Sequence, residues 1–149
     1  MSGIAVYNKI LRVRENEKNA AQTAYNRSMD RFEEKAKQLY TLLRKKEEAE
    51  GSHQKITHEP ITIERLKEQS AYMEQLNKQI NLLQQQVIMA RNDMETKQQK
   101  LSEAYVEVKK FEKLIENRKQ TELQKIKTEE AKWMDEISMQ QYLLTKSGE

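Results

Sequence analysis

Apolar residues recur along the later part of the chain at alternating spacings of four and three. Steps of seven from Leu66 reach Met73, Ile80, Val87, Met94, Leu101, Val108 and Ile115, all apolar, before Glu122 breaks the run. The positions three further on include Leu76, Leu83, Ala90, Ala104 and Phe111. A seven-residue repeat kept up this long predicts a helix that supercoils left-handed against another helix. At Glu122 the phase slips by one residue and resumes as Leu123, Ile126, Glu130, Trp133, Ile137, Gln140 and Leu144. The first third of the chain repeats the pattern. Val6, Ile10, Val13, Glu17, Ala20 and Ala24 form one run, and after a one-residue slip Tyr25, Met29, Phe32, Ala36, Leu39 and Leu43 form another.

Helix breakers divide the two patterned segments. The chain of 149 residues has three glycines and one proline, with Gly3 and Gly148 at the ends and Gly51 and Pro60 together between the runs. A glycine in a helix interior costs roughly 1 kcal/mol and a proline roughly 3, so long helices are expected only where both are missing. The expectation is a helix over about 4–50, a linker over about 51–61 and a helix over about 62–146. Gly51 is placed to close the first helix as a left-handed cap. Pro60 biases Glu59 away from helix, and Thr62 is the expected N-cap of the second helix with Glu64 in its first turn. A polar linker this short folds the second helix back on the first. The predicted fold is all-α, a single domain over 1–149 formed as an antiparallel coiled-coil hairpin whose second helix is longer. A fold-back at about residue 56 sets Leu43 opposite roughly 70 and Val6 opposite roughly 107. About 35 residues of the second helix then overhang, carrying Leu123, Ile126, Trp133, Ile137, Tyr142 and Leu143. A stripe this apolar needs cover from a partner or another copy.

Composition agrees with a narrow seam instead of a thick core, at 36% apolar and 34% charged residues. The charge balance, 27 basic against 24 acidic, is too mixed to imply nucleic acid. The sequence has no cysteine, which excludes disulfides and thiolate metal sites and suits a reducing compartment. No apolar run approaches a membrane span, and the opening Met-Ser-Gly-Ile-Ala-Val-Tyr lacks the regions of a signal peptide. A cytosolic, soluble protein is expected.

Candidate chemistry is sparse. His53 and His58, the only histidines, lie in the linker beside Glu59; solvated loop residues are the default, and a metal site would need further rigid ligands. No glycine-rich phosphate loop or Ser/His/Asp set occurs, and the carboxylates alternate with lysines as on a solvated face. No catalytic activity and no cofactor are expected. Tyr40, Leu42, Tyr72 and Leu82 stand off or beside the seam and either widen the core or form an apolar patch near the bend. Trp133 either anchors a longer bundle or inserts into a partner. Lys109, Lys110 and Lys113, with Arg118, Lys119, Lys125, Lys127 and Lys132, make the later helix basic. They serve solubility or steer the chain into an acidic channel.

Three segments carry a resemblance. They are Tyr7-Asn8-Lys9-Ile10-Leu11-Arg12-Val13-Arg14-Glu15-Asn16-Glu17; then Val87-Ile88-Met89-Ala90-Arg91-Asn92-Asp93-Met94 followed by Val106-Glu107-Val108-Lys109-Lys110-Phe111-Glu112-Lys113; and Lys132-Trp133-Met134-Asp135-Glu136-Ile137-Ser138. In this order they resemble the flagellar export protein FliJ family across nearly the whole chain, most closely the form found in Bacillus-type bacteria. The resemblance implies a soluble component of the flagellar type III export apparatus, folded like the central stalk of rotary ATPases and not itself hydrolysing ATP. It implies that the terminal end binds in the pore of the hexameric flagellar export ATPase, here through Trp133, Met134, Asp135, Glu136 and Ile137 with Ile10, Leu11 and Arg14. The other end would reach the cytoplasmic domain of the export-gate protein FlhA through Gln38, Leu42, Tyr72, Leu76 and Leu83. Lys45 and Ala49 stand where relatives carry aromatics in that patch. Export chaperones are further implied partners, and the only membrane association is peripheral, through the gate. The alternatives are a structural or scaffolding coiled coil and a rotary ATPase central-stalk subunit; the latter would carry a globular insertion for which the linker has no room.

Overall fold

The computed structural model describes residues 2–56 and 60–148. The chain forms two α-helices, α1 over Ser2–Ile56 and the longer α2 over Ile63–Ser147. No strand occurs among the described residues. The start of α2 follows from its sequence. Pro60 to Thr62 are non-helical, and the Thr62 hydroxyl accepts a hydrogen bond from the Arg65 N–H at 3.4 Å. The Thr62 carbonyl accepts from the Leu66 N–H at 3.2 Å. That is the expected N-cap, and Glu64 lies in the first turn, where the helix dipole favours it. The end of α1 differs from expectation. Gly51 is helical and α1 continues to Ile56, with no glycine among the described residues at positive φ. A glycine stops a helix when the chain turns left-handed there; otherwise its modest propensity cost is offset by the hydrogen bonds that continue on either side. The expected solvation of the His53 and His58 side chains and the non-helical backbone expected at Glu59 lie outside the described residues.

The chain divides into two compact units, Met1–Lys18 with Ala104–Glu149 and Asn19–Glu103. In each, a segment of α1 packs against a segment of α2. The first unit fixes their direction. Arg118 stacks over Tyr7, Arg14 over Phe111 at 5.9 Å from the ring centre, and Lys18 over Tyr105 at 5.1 Å. Partner numbers on α2 fall as those on α1 rise, so the helices run antiparallel. The fold is the expected all-α coiled-coil hairpin with the longer second helix. Its register differs, however: Tyr7 meets Arg118, where the sequence placed Val6 near 107. The longer α1 moves the reversal toward Pro60 and slides the pairing by about three turns.

The α2 seam is the predicted one. Leu76, Ile80, Leu83 and Ala90 are the buried apolar residues of the second unit, and Val108 and Ile115 those of the first. The α1 seam is not. Val6 and Val13 are each 52% exposed. The inward row is Ile4, Tyr7, Leu11, Arg14, Lys18, Ala21, Tyr25, Ser28, Phe32, Lys35, Leu39, Leu42, Lys46 and Ala49, each buried or half-buried. Its spacing alternates three and four without a break, so α1 contains no phase slip. The apparent slip arises because Arg14, Lys18, Ser28, Lys35 and Lys46 occupy seam positions. Long cationic side chains lay their stems along apolar surface and keep their charge at its edge. Ser28, 3% exposed, satisfies its hydroxyl by donating to the Tyr25 carbonyl at 2.7 Å.

Candidate partner-binding surfaces

In the first unit α1 begins beside Arg118, whose guanidinium lies 3.0 Å from where a Cβ on Gly3 would stand. From there α2 runs on to Ser147, about eight turns of helix. Along those turns Glu122 and Ile137 alone are half-buried, and the rest of the described residues are exposed. Leu123, Ile126 and Trp133 expose 58%, 50% and 62% of their surface. At about 100° per residue they fall on one side of the helix with Ile137 and Leu144. The opposite side is polar: Asn117, Gln120, Thr121, Gln124, Lys125, Thr128 and Lys132 share one shallow groove. The Thr121 and Thr128 hydroxyls turn inward, donating to the carbonyls of Asn117 and Gln124 at 2.8 Å each. Up to Ile137 the extension is therefore amphipathic, with its apolar side facing solvent, whereas in its last turns apolar residues lie on both sides. In its last turns Met139, Tyr142 and Leu143 are also exposed around a small hollow with Ser138. This extension is shorter than the expected 35 residues because of the register shift.

The residues expected to bind the ATPase fall into two groups, all within this unit. Trp133, Met134, Asp135 and Glu136 are exposed and Ile137 is half-buried on the extension. Ile10, Leu11 and Arg14 are half-buried on α1. Arg14 is already engaged: it donates to Glu17 at 3.0 Å, stacks over Phe111, and holds a buried Nε without a hydrogen-bond partner. The Tyr7–Arg118 and Lys18–Tyr105 stacks are further contacts that counting apolar residues missed. A strict seven-residue count that admitted cations would have found them.

The residues expected to bind the gate lie in the second unit. Gln38 and Tyr72 are exposed and Leu42 is half-buried. Leu76 and Leu83, at 4% and 7% exposure, belong to the core, and their side chains present almost no surface to a partner. Tyr72 lines a shallow groove with Lys45, Gln75, Leu76 and Gln79. Tyr40 and Leu82 are 64% and 58% exposed, so neither widens the core. No group of His, Cys, Asp or Glu among the described residues could hold a metal ion. No described helix is long and apolar enough to cross a membrane.

These features define an antiparallel two-helix coiled-coil protein with an uncovered amphipathic extension. The model of the flagellar FliJ protein family matches residues 5–147, and the chain belongs to that family. The Flagellar FliJ protein of Bacillus subtilis (strain 168) is 34% identical over 138 residues, 93% of this chain and 94% of that protein. No solved structure matches the chain. Family membership supports a flagellar export component.

Proposed function

We propose that the chain is a non-catalytic stalk of the flagellar type III export apparatus whose α2 extension docks in the hexameric export ATPase. One observation carries the proposal: about eight turns of helix expose Leu123, Ile126 and Trp133 on one side with no α1 alongside. An aromatic and aliphatic face of this kind is the usual anchor of a protein interface. Met134, Asp135, Glu136 and Ile137 continue the contact from Trp133, while Ile10, Leu11 and Arg14 support it by holding α1 against α2. In the second unit, Gln38, Leu42 and Tyr72 meet the FlhA cytoplasmic domain, with Leu76 and Leu83 in the core of the same unit. Export chaperones are the third class of partner. The chain acts in the cytoplasm, peripheral to the membrane through the gate.

Contact with an asymmetric helix pair distinguishes subunits of a six-fold ring and so biases their conformations. A second contact on the gate couples the two only through a difference in contact free energy between states. The test is ATP hydrolysis by the purified cognate ring with and without this chain. Trp133→Ala is expected to raise the concentration needed for half-maximal stimulation about tenfold or more and leave helicity unchanged by circular dichroism. Unchanged stimulation would remove the extension from the mechanism. Leu42→Ala with Tyr72→Ala is expected to weaken FlhA binding alone.

A further inference from the structure

The charges around the bare extension say what kind of surface covers it. Glu122, Glu129 and Glu136 stand seven residues apart and so form one row along the helix, next to Trp133 on the border of the apolar side. Glu129 and Glu136 are exposed and Glu122 is half-buried. Glu130 lies within the apolar side itself and is exposed. Among the described residues none of these carboxylates forms an ion pair. The ion pairs of the described residues all lie earlier, the last between Lys109 and Glu112 at 3.3 Å. Lys125 and Lys132 stand within helical reach of the row, three residues after Glu122 and Glu129 and four before Glu129 and Glu136, and share a groove with Glu129, yet neither closes an ion pair with it.

This pattern opposes pairing with a second copy in either direction. Antiparallel pairing of two extensions brings the row of Glu122, Glu129 and Glu136 against its own image, because like flanks face each other there. Parallel pairing removes that clash but stacks Glu130 on Glu130 inside the seam, where unpaired carboxylates are desolvated together. Like charges forced to face each other are a means of rejecting a wrong partner. We propose that the extension is built to refuse its own copy and to accept a different protein, one that presents an apolar groove edged by lysine or arginine along the Glu122–Glu129–Glu136 row. The inference deepens the function proposed above and rests on it in one respect, that this same extension is the docking segment.

The experiment uses the full chain and two designed helical probes with identical apolar heptad faces, one edged by lysine and one by glutamate. The lysine-edged probe is expected to bind, with affinity falling as salt rises. Replacing Glu122, Glu129 and Glu136 together by glutamine is expected to weaken that binding about tenfold. The glutamate-edged probe is expected not to bind. Sedimentation equilibrium is expected to show a monomer for the native chain. The triple glutamine variant with Glu130→Leu is expected to dimerise, with helicity checked by circular dichroism. Equal binding of both probes would overturn the proposal, as would self-association of the native chain that the substitutions leave unchanged. Probe binding without any effect of Trp133→Ala on the ATPase would sink the ATPase reading and leave the charge pattern standing.

Discussion

Arg14 shows how a charged residue can hold a coiled-coil seam. Its stem is half-buried, its guanidinium donates to Glu17, and its face covers Phe111. Against these contacts stands a buried Nε with no partner. A cation over a partly desolvated ring contributes about 0.5–1 kcal/mol, the ion pair on one helix a few tenths more, and the stem packs against α2. Arg14→Ala is expected to destabilise the chain by about 1–2 kcal/mol in denaturant unfolding, and Arg14→Met by less than half of that. Equal losses would mean that the charge, not the stem, holds the contact. The α1 seam was legible at this scale only in part, at Tyr25, Phe32 and Leu39, because five of its positions are Arg, Lys or Ser, and a count of apolar residues steps over them. Their neighbours Val6 and Val13 were counted instead, and those face solvent.

For the helices, Gly51 decides between two arrangements. A left-handed cap would make any side chain there strained, whereas a helical glycine is improved by one. The structure holds it inside α1 with nothing within 4 Å of an added Cβ. Gly51→Ala is therefore expected to stabilise the chain by about 0.5–1 kcal/mol, read as a rise in thermal midpoint. A fall would restore the cap and with it the shorter α1. Thr62 was legible, since an N-cap is written in the residue itself and its neighbours. The end of α1 was not, since glycine marks a possible stop whose use depends on what the helix gains by continuing. That ambiguity alone displaced the predicted pairing of the two helices.

For the molecule as a whole, the two helices were legible from periodicity, their antiparallel sense from the short linker, and the bare end of α2 from the unequal helix lengths. They depend on many residues at once, and no single misassigned position changes them. The candidate docking residues were legible only in part. Trp133 and Tyr72 face solvent as a contact residue must, but Leu76 and Leu83 are spent on the core, which a sequence pattern cannot separate from a surface on the same helix. The bare end of α2 also has a thermodynamic consequence. A helix of about eight turns with no neighbour keeps only its own hydrogen bonds, and isolated helices in water are marginal. Backbone amides over 123–147 are therefore expected to exchange with deuterium orders of magnitude faster than those over 76–90, and to slow when a partner is captured. Capture then includes a disorder-to-order step, so that the grip on a partner is weaker than the contact area suggests and release is correspondingly easy.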